Sequence, residues 1–275
     1  MEKQKHLELP KIKLSVALAT FNEGLSIKEC LESIKNLAQE IVVVDGSSTD
    51  NTVEIARSFG AKAIITTNKP IFHINKQQAI DECQGDWVLL LDADEVVPSD
   101  LAEEIKTVIQ DGVSGTVAYW LKRRKMFLGK WMKKGGQYPD PVVRLFKKGR
   151  AFLPCQSVHE QMKVDGEIGW LKNDLIHLPT CSFTSYLTKD NRYSTLTALE
   201  MKNEKLKINF FSFCKYFFWE PNKIFFSIYL RHKGFLDGFP GFIFALYSGL
   251  HITNAYIKYW EMEKTLSEHI EEDWV

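Results

Sequence analysis

Two aspartates, Asp92 and Asp94, stand one residue apart directly after the apolar run from Trp87 to Leu91. Carboxylates at this spacing can share one divalent cation, and their hard oxygen ligands suit Mg²⁺ or Mn²⁺. Such a cation would stabilise the charge that develops on a leaving diphosphate. An Asp-x-Asp sequence is also common in solvated acidic turns, so its interpretation depends on the elements around it.

A second polar cluster follows another apolar run. Asp45 ends the run from Ile41 to Val44 and is followed by Gly46-Ser47-Ser48-Thr49-Asp50. A carboxylate at this point can accept hydrogen bonds from a uracil N–H or a ribose hydroxyl. The residues after it are also typical of a turn and a helix N-cap. We assign capping to Asp50 or Ser48 and ligand binding to Asp45.

The elements that must position these residues alternate regularly. Apolar runs predict strands at 14–19, 41–44, 61–66 and 87–91, and apolar spacing predicts helices at 26–37, 51–59, 74–83 and 98–109. Because each strand is apolar on both faces, the pattern indicates an α/β fold with a mostly parallel central sheet flanked by helices. Ligands bind beyond the carboxyl ends of such strands, where Thr20, Asn22 and Glu23 also lie.

The rest of the chain divides into two parts. From Gly115 to His177, strand-like pieces alternate with turns, which predicts the second half of the same domain and a place for an acceptor. We therefore predict a catalytic domain at 1–180 and a helical C-terminal extension at 181–275. That extension has a long helix at 182–205 and an aromatic-rich stretch at 210–260, interrupted by Pro and Gly residues.

Composition excludes several classes of protein. Lys+Arg and Asp+Glu both number 35, so no global field favours nucleic acid. The five cysteines are scattered, which suits a reducing compartment. Residues 1–13 are charged and lack the apolar core of a secretory signal. No uninterrupted run of 18 apolar residues occurs, so we do not expect a clean transmembrane helix.

Three ordered motifs resemble glycosyltransferase family 2, whose members have the GT-A fold and invert the anomeric centre. They are Ala19-Thr20-Phe21-Asn22-Glu23, the stretch from Val43 to Thr52, and the stretch from Asp86 to Glu95. The resemblance covers residues 14–180. A narrower similarity is to bacterial lipopolysaccharide core β-1,4-glucosyltransferases that act on heptose. It rests on Tyr138-Pro139-Asp140, Arg144-Leu145-Phe146, Val158-His159-Glu160, Asn191-Arg192-Tyr193 and the aromatic C-terminus.

The resemblance implies a UDP-sugar donor, with UDP-glucose first, and a lipid-linked or glycan acceptor of the lipopolysaccharide core. Thr20, Glu23 and Asp45 would hold the uridine. Asn22 and Ser47, in the same loops, would also bind the nucleotide sugar. Asp92 and Asp94 would frame the metal, the donor ribose and the phosphates. Three further residues each have two interpretations. Lys76 either lies near the diphosphate or is an exposed helix lysine, and Arg144 binds either phosphate or an internal carboxylate. His177 either binds the metal or is a core histidine.

An inverting transfer needs a carboxylate base to deprotonate the acceptor hydroxyl. Members of the family often use the Asp of a Glu-Asp pair downstream of the metal motif, and this chain lacks that pair there. We assign the base to Glu160 first and to Asp140 second. The alternative for either residue is a surface acid.

The C-terminal aromatics are interleaved with Lys215, Lys223, Arg231, His232, Lys233 and Lys258. That combination suits the headgroup zone of an anionic membrane surface. The alternatives are a packed helical cap and a homodimer interface. Because 234–256 contains Asp237 and His251, we expect it to lie on the bilayer rather than span it. The predicted location is cytoplasmic, peripheral on the inner face of the plasma membrane.

Other classes of function fit the sequence less well. A nucleotidyltransferase acting on sugar phosphates would carry a Gly-rich, basic loop after the first strand, and this loop has one Gly and no base. A dinucleotide-dependent oxidoreductase needs G-x-G-x-x-G there, which is absent. A non-catalytic membrane-bound glycan-binding protein would not need Asp45, Asp92 and Asp94.

Overall fold

The structure is a computed structural model that describes residues 12–69, 71–111, 115–156, 160–178 and 182–265. Of the motifs above, Val158 and His159 lie outside these residues. The strands are β1 (Leu14–Thr20), β2 (Glu40–Asp45), β3 (Lys62–Ile65), β4 (Trp87–Leu91), β5 (Glu95–Val96), β6 (Thr116–Phe127), β7 (Lys130–Trp131), β8 (Asp140–Lys147), β9 (Ala151–Phe152), β10 (Lys163–Val164) and β11 (Glu167–His177). The helices are α1 (Ile27–Ile34), α2 (Thr52–Ser58), α3 (His73–Glu82), α4 (Ser99–Asp111), α5 (Phe183–Asn203), α6 (Phe210–Cys214), α7 (Glu220–Phe226) and α8 (Gly238–Thr265).

The chain forms two compact units. The sheet unit consists of Met1–Arg123 and Asp140–His177, and the helical unit of Arg124–Pro139 and Leu178–Val275. The predicted boundary at 180 lies three residues beyond the one at His177. The segment Arg124–Pro139 departs further from the predicted domains. The sequence placed it in the first domain, whereas in the structure it belongs to the helical unit.

The main sheet has the strand order β3-β2-β1-β4-β8-β6-β11-β5, and β7 pairs with β6. The first four strands are parallel, whereas β8 is antiparallel to β4 and to β6. The predicted fold class is confirmed, and the sheet is mixed because the region after Gly115 adds antiparallel strands. The parallel half places the ends of β1, β2 and β4 at one edge.

Alternate side chains of the parallel strands enter two different cores. On β1, Leu14, Val16 and Leu18 pack in one core with residues of α1 and α4, while Ala17 packs in the other with residues of α3. The strands β2 and β4 alternate in the same way. This explains why they read as continuous apolar runs, since both faces are covered by helices.

In the helical unit, α5 packs against α8 around Ala198, Met201, Ala255 and Tyr259. The α5 helix begins after Ser182, whose hydroxyl accepts the Ser185 N–H at 3.1 Å. Two π-helical turns, Lys215–Trp219 and Ser227–Arg231, flank α7. This part of the unit therefore consists of short helical pieces, as the aromatic-rich stretch predicted.

The last helix differs from the prediction of short, interrupted pieces. Pro240 and Gly241 lie in the first turn of α8, where a proline is tolerated, and the helix continues to Thr265. Residues Gly234–Lys264 are long and apolar enough to cross a membrane by length and composition, and 22% of the most apolar stretch is buried. The His251 ring bonds Asp190 of α5 at 2.7 Å, so this polar residue is used within the unit.

Candidate active site

The acidic motif after β4 folds into a tight turn. Glu95 donates its backbone N–H to the Asp92 carbonyl at 2.9 Å, and its side-chain Oε2 accepts the Asp92 N–H at 2.9 Å. Glu95 then begins β5, which pairs antiparallel with β11 and sets His177 opposite Glu95. The turn therefore brings Asp92, Asp94 and His177 to the carboxyl end of β4.

Alternating acids and bases connect this turn to α3 and β8. In order of contact, they are Lys76, Asp92, Arg144, Glu95, Arg123 and Asp140. The Arg144 Nη2 lies 2.5 Å from Asp92 Oδ2 and 2.8 Å from Glu95 Oε1. We refer to these six residues as the ion network; with three acids and three bases, their formal charges cancel.

The far end of the ion network is fixed by strand register. Arg123 of β6 and Asp140 of β8 are cross-strand partners. Arg123 donates from Nε and Nη2 to Asp140 Oδ2, at 2.9 and 2.7 Å, and its Nη1 lies 3.3 Å from Glu95 Oε1. Because Glu95 is fully buried, the two arginines supply the compensation that a buried carboxylate requires.

The network keeps Asp92 ionised. Burial alone would raise the pKa of Asp92, but the charges of Arg144 and then Lys76 hold that pKa well below its usual range. Burial would lower the pKa of Arg144, and Asp92 and Glu95 together raise it. Both groups are therefore charged at neutral pH.

These contacts bear on the alternative interpretations of Arg144 and Lys76. Arg144 binds internal carboxylates, as its alternative interpretation stated, and phosphate binding by Arg144 stays a prediction. Lys76 pairs with Asp92, its ammonium lies 4.8 Å from the Phe72 ring, and its side chain is only 12% exposed. The interpretation of Lys76 as an exposed helix lysine is therefore wrong.

Among the described residues, no three His, Cys, Asp or Glu side chains are gathered as a ligand set for a metal ion. The predicted trio Asp92, Asp94 and His177 is therefore not assembled as three ligands, because Lys76 and Arg144 contact the two oxygens of Asp92. Asp94 and His177 do meet, with 3.4 Å between Oδ2 and Nε2. Both side chains are largely buried, at 12% and 15% exposure.

The pair Asp94–His177 fits a divalent cation of the predicted kind. Mg²⁺ is usually held by one or two protein ligands and completes its coordination with water and substrate phosphates. Carboxylate oxygen suits Mg²⁺ and Mn²⁺, and neutral imidazole is a common metal ligand in proteins. The other ring nitrogen of His177, Nδ1, is buried with no hydrogen-bond partner among the described residues, so its neighbours do not fix the tautomer.

The loops after β1 and β2 are joined through Asp45. This carboxylate is fully buried and accepts three hydrogen bonds: from the Thr20 hydroxyl at 2.7 Å and from the Ser48 N–H and hydroxyl at 2.7 and 2.6 Å. A carboxylate can accept about four hydrogen bonds, and a direct contact of Asp45 with uridine stays a prediction. Ser48 thus serves the loop. Asp50 accepts the Thr52 N–H at 3.0 Å, but the N-cap of α2 is Asn51, whose side chain makes no capping bond, so the prediction of Asp50 or Ser48 as the N-cap is wrong.

Asn22, Glu23 and Ser47 complete the same loops. The Asn22 side chain accepts the Thr49 N–H at 2.8 Å, and its backbone is in the left-handed region, which Asn tolerates. Glu23 accepts the Ser26 hydroxyl at 2.7 Å. Ser47 is exposed and donates its hydroxyl to the Thr66 carbonyl. The structure therefore brings Thr20, Asn22, Ser47 and Asp45 together at the ends of β1 and β2.

Glu160 is held against α3. Its Oε1 accepts the Cys155 N–H at 2.5 Å and lies 3.2 Å from His73 Nδ1, and its Oε2 accepts the Gln156 N–H at 3.0 Å. His73 and Lys76 are three residues apart on α3 and therefore share one face of that helix. Through them, Glu160 and Asp92 are both tied to the same face.

Sequence reasoning missed Glu95, Arg123 and His73. Glu95 directly follows the acidic motif, and its role as a buried counter-charge was not visible without strand register. Arg123 could have been found only from its pairing opposite Asp140, since the sequence shows it as one of four consecutive basic residues from Lys122 to Lys125. His73 gave a usable signal, because it stands one helical turn before Lys76.

Comparison with known proteins finds relatives that cover most of the chain. The model of glycosyl transferase family 2 matches residues 15–163. The chain is 30% identical over 243 residues to an uncharacterized glycosyltransferase of Rickettsia typhi, covering 84% of this chain and 81% of the relative. It is 27% identical over 254 residues to the lipopolysaccharide core biosynthesis glycosyltransferase LpsC of Rhizobium meliloti, covering 86% and 88% of the two chains.

Among solved structures, the mannosyltransferase PcManGT of Pyrobaculum calidifontis, crystallised with GDP-Man and Mn²⁺, has a similar fold. The TM-score is 0.51 at 14% identity, and the match covers 91% of this chain and 87% of that one. This likeness concerns the fold alone.

Proposed function

We propose that this chain, which belongs to glycosyl transferase family 2 and is a glycosyltransferase, transfers a sugar from a UDP-sugar to an acceptor of the lipopolysaccharide core. The similarity to LpsC over most of both chains supports the lipopolysaccharide core as the acceptor class. UDP-glucose is the proposed donor, and a lipid-linked core glycan is the proposed acceptor. Family membership argues against the nucleotidyltransferase and the non-catalytic glycan-binding alternatives.

The observation that carries the proposal is the arrangement at the end of β4. Asp94 and His177 meet beside the ion network with its three largely buried bases, and Thr20 and Asp45 end the strands β1 and β2 of the same sheet. We assign Mg²⁺ or Mn²⁺ to Asp94 and His177. When bound, the cation would neutralise charge on the departing UDP.

Two bases have different proposed roles. Arg144 presents a rigid planar fork to two carboxylates, which suits a fixed support for Asp92. Lys76 is a compact charge on a flexible stem, and it can exchange Asp92 for a diphosphate oxygen. We therefore propose that Lys76 binds the diphosphate and that Arg144 holds Asp92 in place for the donor ribose and phosphates.

Glu160 is the proposed base. Two backbone N–H groups fix the orientation of its carboxylate, and its contact with His73 ties it to the helix face that carries Lys76. An oriented carboxylate is what proton abstraction from an acceptor hydroxyl requires. Asp140 is the alternative, and its two hydrogen bonds from Arg123 support a structural role.

We place the reaction at the cytoplasmic face of the membrane. The support is the set of exposed aromatic side chains in the helical unit, among them Phe210, Phe211, Trp219 and Phe239. Exposed apolar surface of this extent marks an interaction site. A lipid-linked acceptor would also require the enzyme to reach the bilayer.

The experiment that tests the donor assignment is a screen of UDP-, GDP- and CMP-sugars for hydrolysis and transfer by the purified full-length protein with Mn²⁺ or with excess EDTA. The expected result is metal-dependent release of UDP, fastest from UDP-glucose. Turnover that is equal in EDTA would overturn the metal assignment. Preference for a GDP-sugar or a CMP-sugar would overturn the UDP assignment.

A further inference from the structure

Two distant segments of the helical unit are joined around one buried acid. Asp237 is 2% exposed, and its carboxylate accepts the backbone N–H groups of Lys133 and Lys134 at 3.2 and 2.8 Å. Its carbonyl accepts the Lys130 ammonium at 2.7 Å, and Gly135 donates its N–H to the His232 carbonyl at 2.9 Å. The loop 130–136 is therefore fixed against the segment 231–239.

This junction concentrates exposed positive charge. Lys133 and Lys134 from the loop, and Arg231 and Lys233 from the segment, are all exposed. Asp237 is the only acid in either stretch, and its carboxylate is used by backbone N–H groups. Lys134, Arg231 and Lys233 form no ion pair with any residue in the described part of the chain. The local charge is therefore strongly positive, although the whole chain is neutral.

Apolar side chains continue the same surface. Phe235, Leu236 and Phe239 lie two, three and six residues after Lys233 and are 45%, 56% and 70% exposed. Burying them in water-free surroundings would be favourable by the hydrophobic effect. We refer to the four cations Lys133, Lys134, Arg231 and Lys233 and these three apolar residues as the docking patch.

An open groove adjoins the docking patch at Arg231. It has a volume of about 680 Å³ and is lined mainly by apolar atoms of Trp219, Ile224, Phe226 and Ile228, with Lys223 among its polar residues. A groove with apolar walls and basic residues matches an amphiphile that has a phosphate and an acyl chain. A soluble phosphate ion would make no favourable contact with the apolar walls.

We propose that the docking patch binds the surface of an anionic phospholipid bilayer, with its cations at the lipid phosphates and Phe235, Leu236 and Phe239 inserted among the acyl chains. This deepens the membrane location given under the proposed function by naming the surface that makes the contact. The charge also disfavours a second copy of the chain, because a two-fold contact would set identical cationic patches against each other.

The test is co-sedimentation of the full-length protein with phosphatidylcholine vesicles that contain about one third phosphatidylglycerol. The double variant Lys134→Glu/Lys233→Glu should lower the partition coefficient by at least about 30-fold, because two attractions become repulsions. The matched control is Lys28→Glu/Lys172→Glu, which makes the same change in net charge on exposed lysines of the sheet unit. That control should bind within about twofold of the wild type.

Phe239→Ala tests the apolar part and should weaken vesicle binding by about 10-fold. Binding of both variants to UDP and Mn²⁺ should be unchanged, which separates this proposal from the donor assignment. Four results would overturn it: equal loss in the control, binding unaffected by Lys134→Glu/Lys233→Glu, displacement by millimolar inorganic phosphate, and dimerisation through Phe239 without vesicle binding. Loss of sugar transfer with vesicle binding intact would concern the proposed function alone.

Discussion

The basic residues of the two units are in opposite environments. In the sheet unit, Lys76, Arg123 and Arg144 are largely buried, and each contacts a carboxylate. In the helical unit, Lys134, Arg231 and Lys233 are exposed. The neighbouring acid, Asp237, is buried, and its carboxylate accepts backbone N–H groups instead of pairing with these cations. A buried charge must be paired to be tolerated, while an exposed one can be left for a partner. The comparison separates cations that build a site from cations that attract a surface.

The largest expected effect is on Arg144, which compensates two carboxylates. Arg144→Met should lower the free energy of unfolding by about 3–5 kcal/mol, because it leaves Asp92 and buried Glu95 short of positive charge. Urea denaturation measures this change. Lys28→Met, at an exposed position of α1, is the control. A decrease in the free energy of unfolding of less than about 1 kcal/mol would mean that the ion network does not stabilise the turn that contains Asp92 and Glu95.

A similar loss is expected in turnover when the proposed base is removed. Glu160→Gln should reduce kcat by roughly 10²–10⁴-fold with donor affinity unchanged, because the base acts on the acceptor in the transition state. Asp140→Asn should instead lower the free energy of unfolding, because it removes the negative charge that pairs with Arg123. Steady-state kinetics and UDP binding of both variants show which of the two residues is the base. If Asp140→Asn loses turnover and Glu160→Gln does not, the base is Asp140.

A smaller effect is expected for the buried acid of the helical unit. Asp237→Ala should cost about 1–3 kcal/mol in stability, because the N–H groups of Lys133 and Lys134 lose their acceptor. Hydrogen exchange at those two amides should rise in parallel. Unchanged protection at both amides would show that Asp237 does not hold the loop.

The smallest effect is expected for an exposed cation of the docking patch. Lys134→Met should change the free energy of unfolding by less than about 0.5 kcal/mol, since its side chain has no acidic partner among the described residues. Urea denaturation beside Arg144→Met measures the contrast directly. Equal destabilisation by the two variants would show that the buried, paired Arg144 contributes no more to stability than the exposed Lys134.

The sequence predicted the parallel half of the sheet well, because strands covered on both faces read as unbroken apolar runs. It also brought Asp92, Asp94, Thr20 and Asp45 to one edge, since strand ends follow from strand order. It could not supply the ion network: Arg123 faces Asp140 only through the register of β6 and β8. Of the docking patch, the sequence indicated Arg231 and Lys233 but not Lys133 and Lys134, because Asp237 joins residues about one hundred positions apart.

The central claim is that Asp94 and His177 hold a divalent cation together with the donor diphosphate. Calorimetric titration of UDP into the wild type, with and without Mn²⁺, tests it most directly, beside Asp94→Asn and the exposed control Asp165→Asn. We predict that Mn²⁺ strengthens UDP binding at least about tenfold in the wild type and in Asp165→Asn, and that Asp94→Asn abolishes this gain. Equal UDP affinity with and without Mn²⁺ in the wild type would contradict the account.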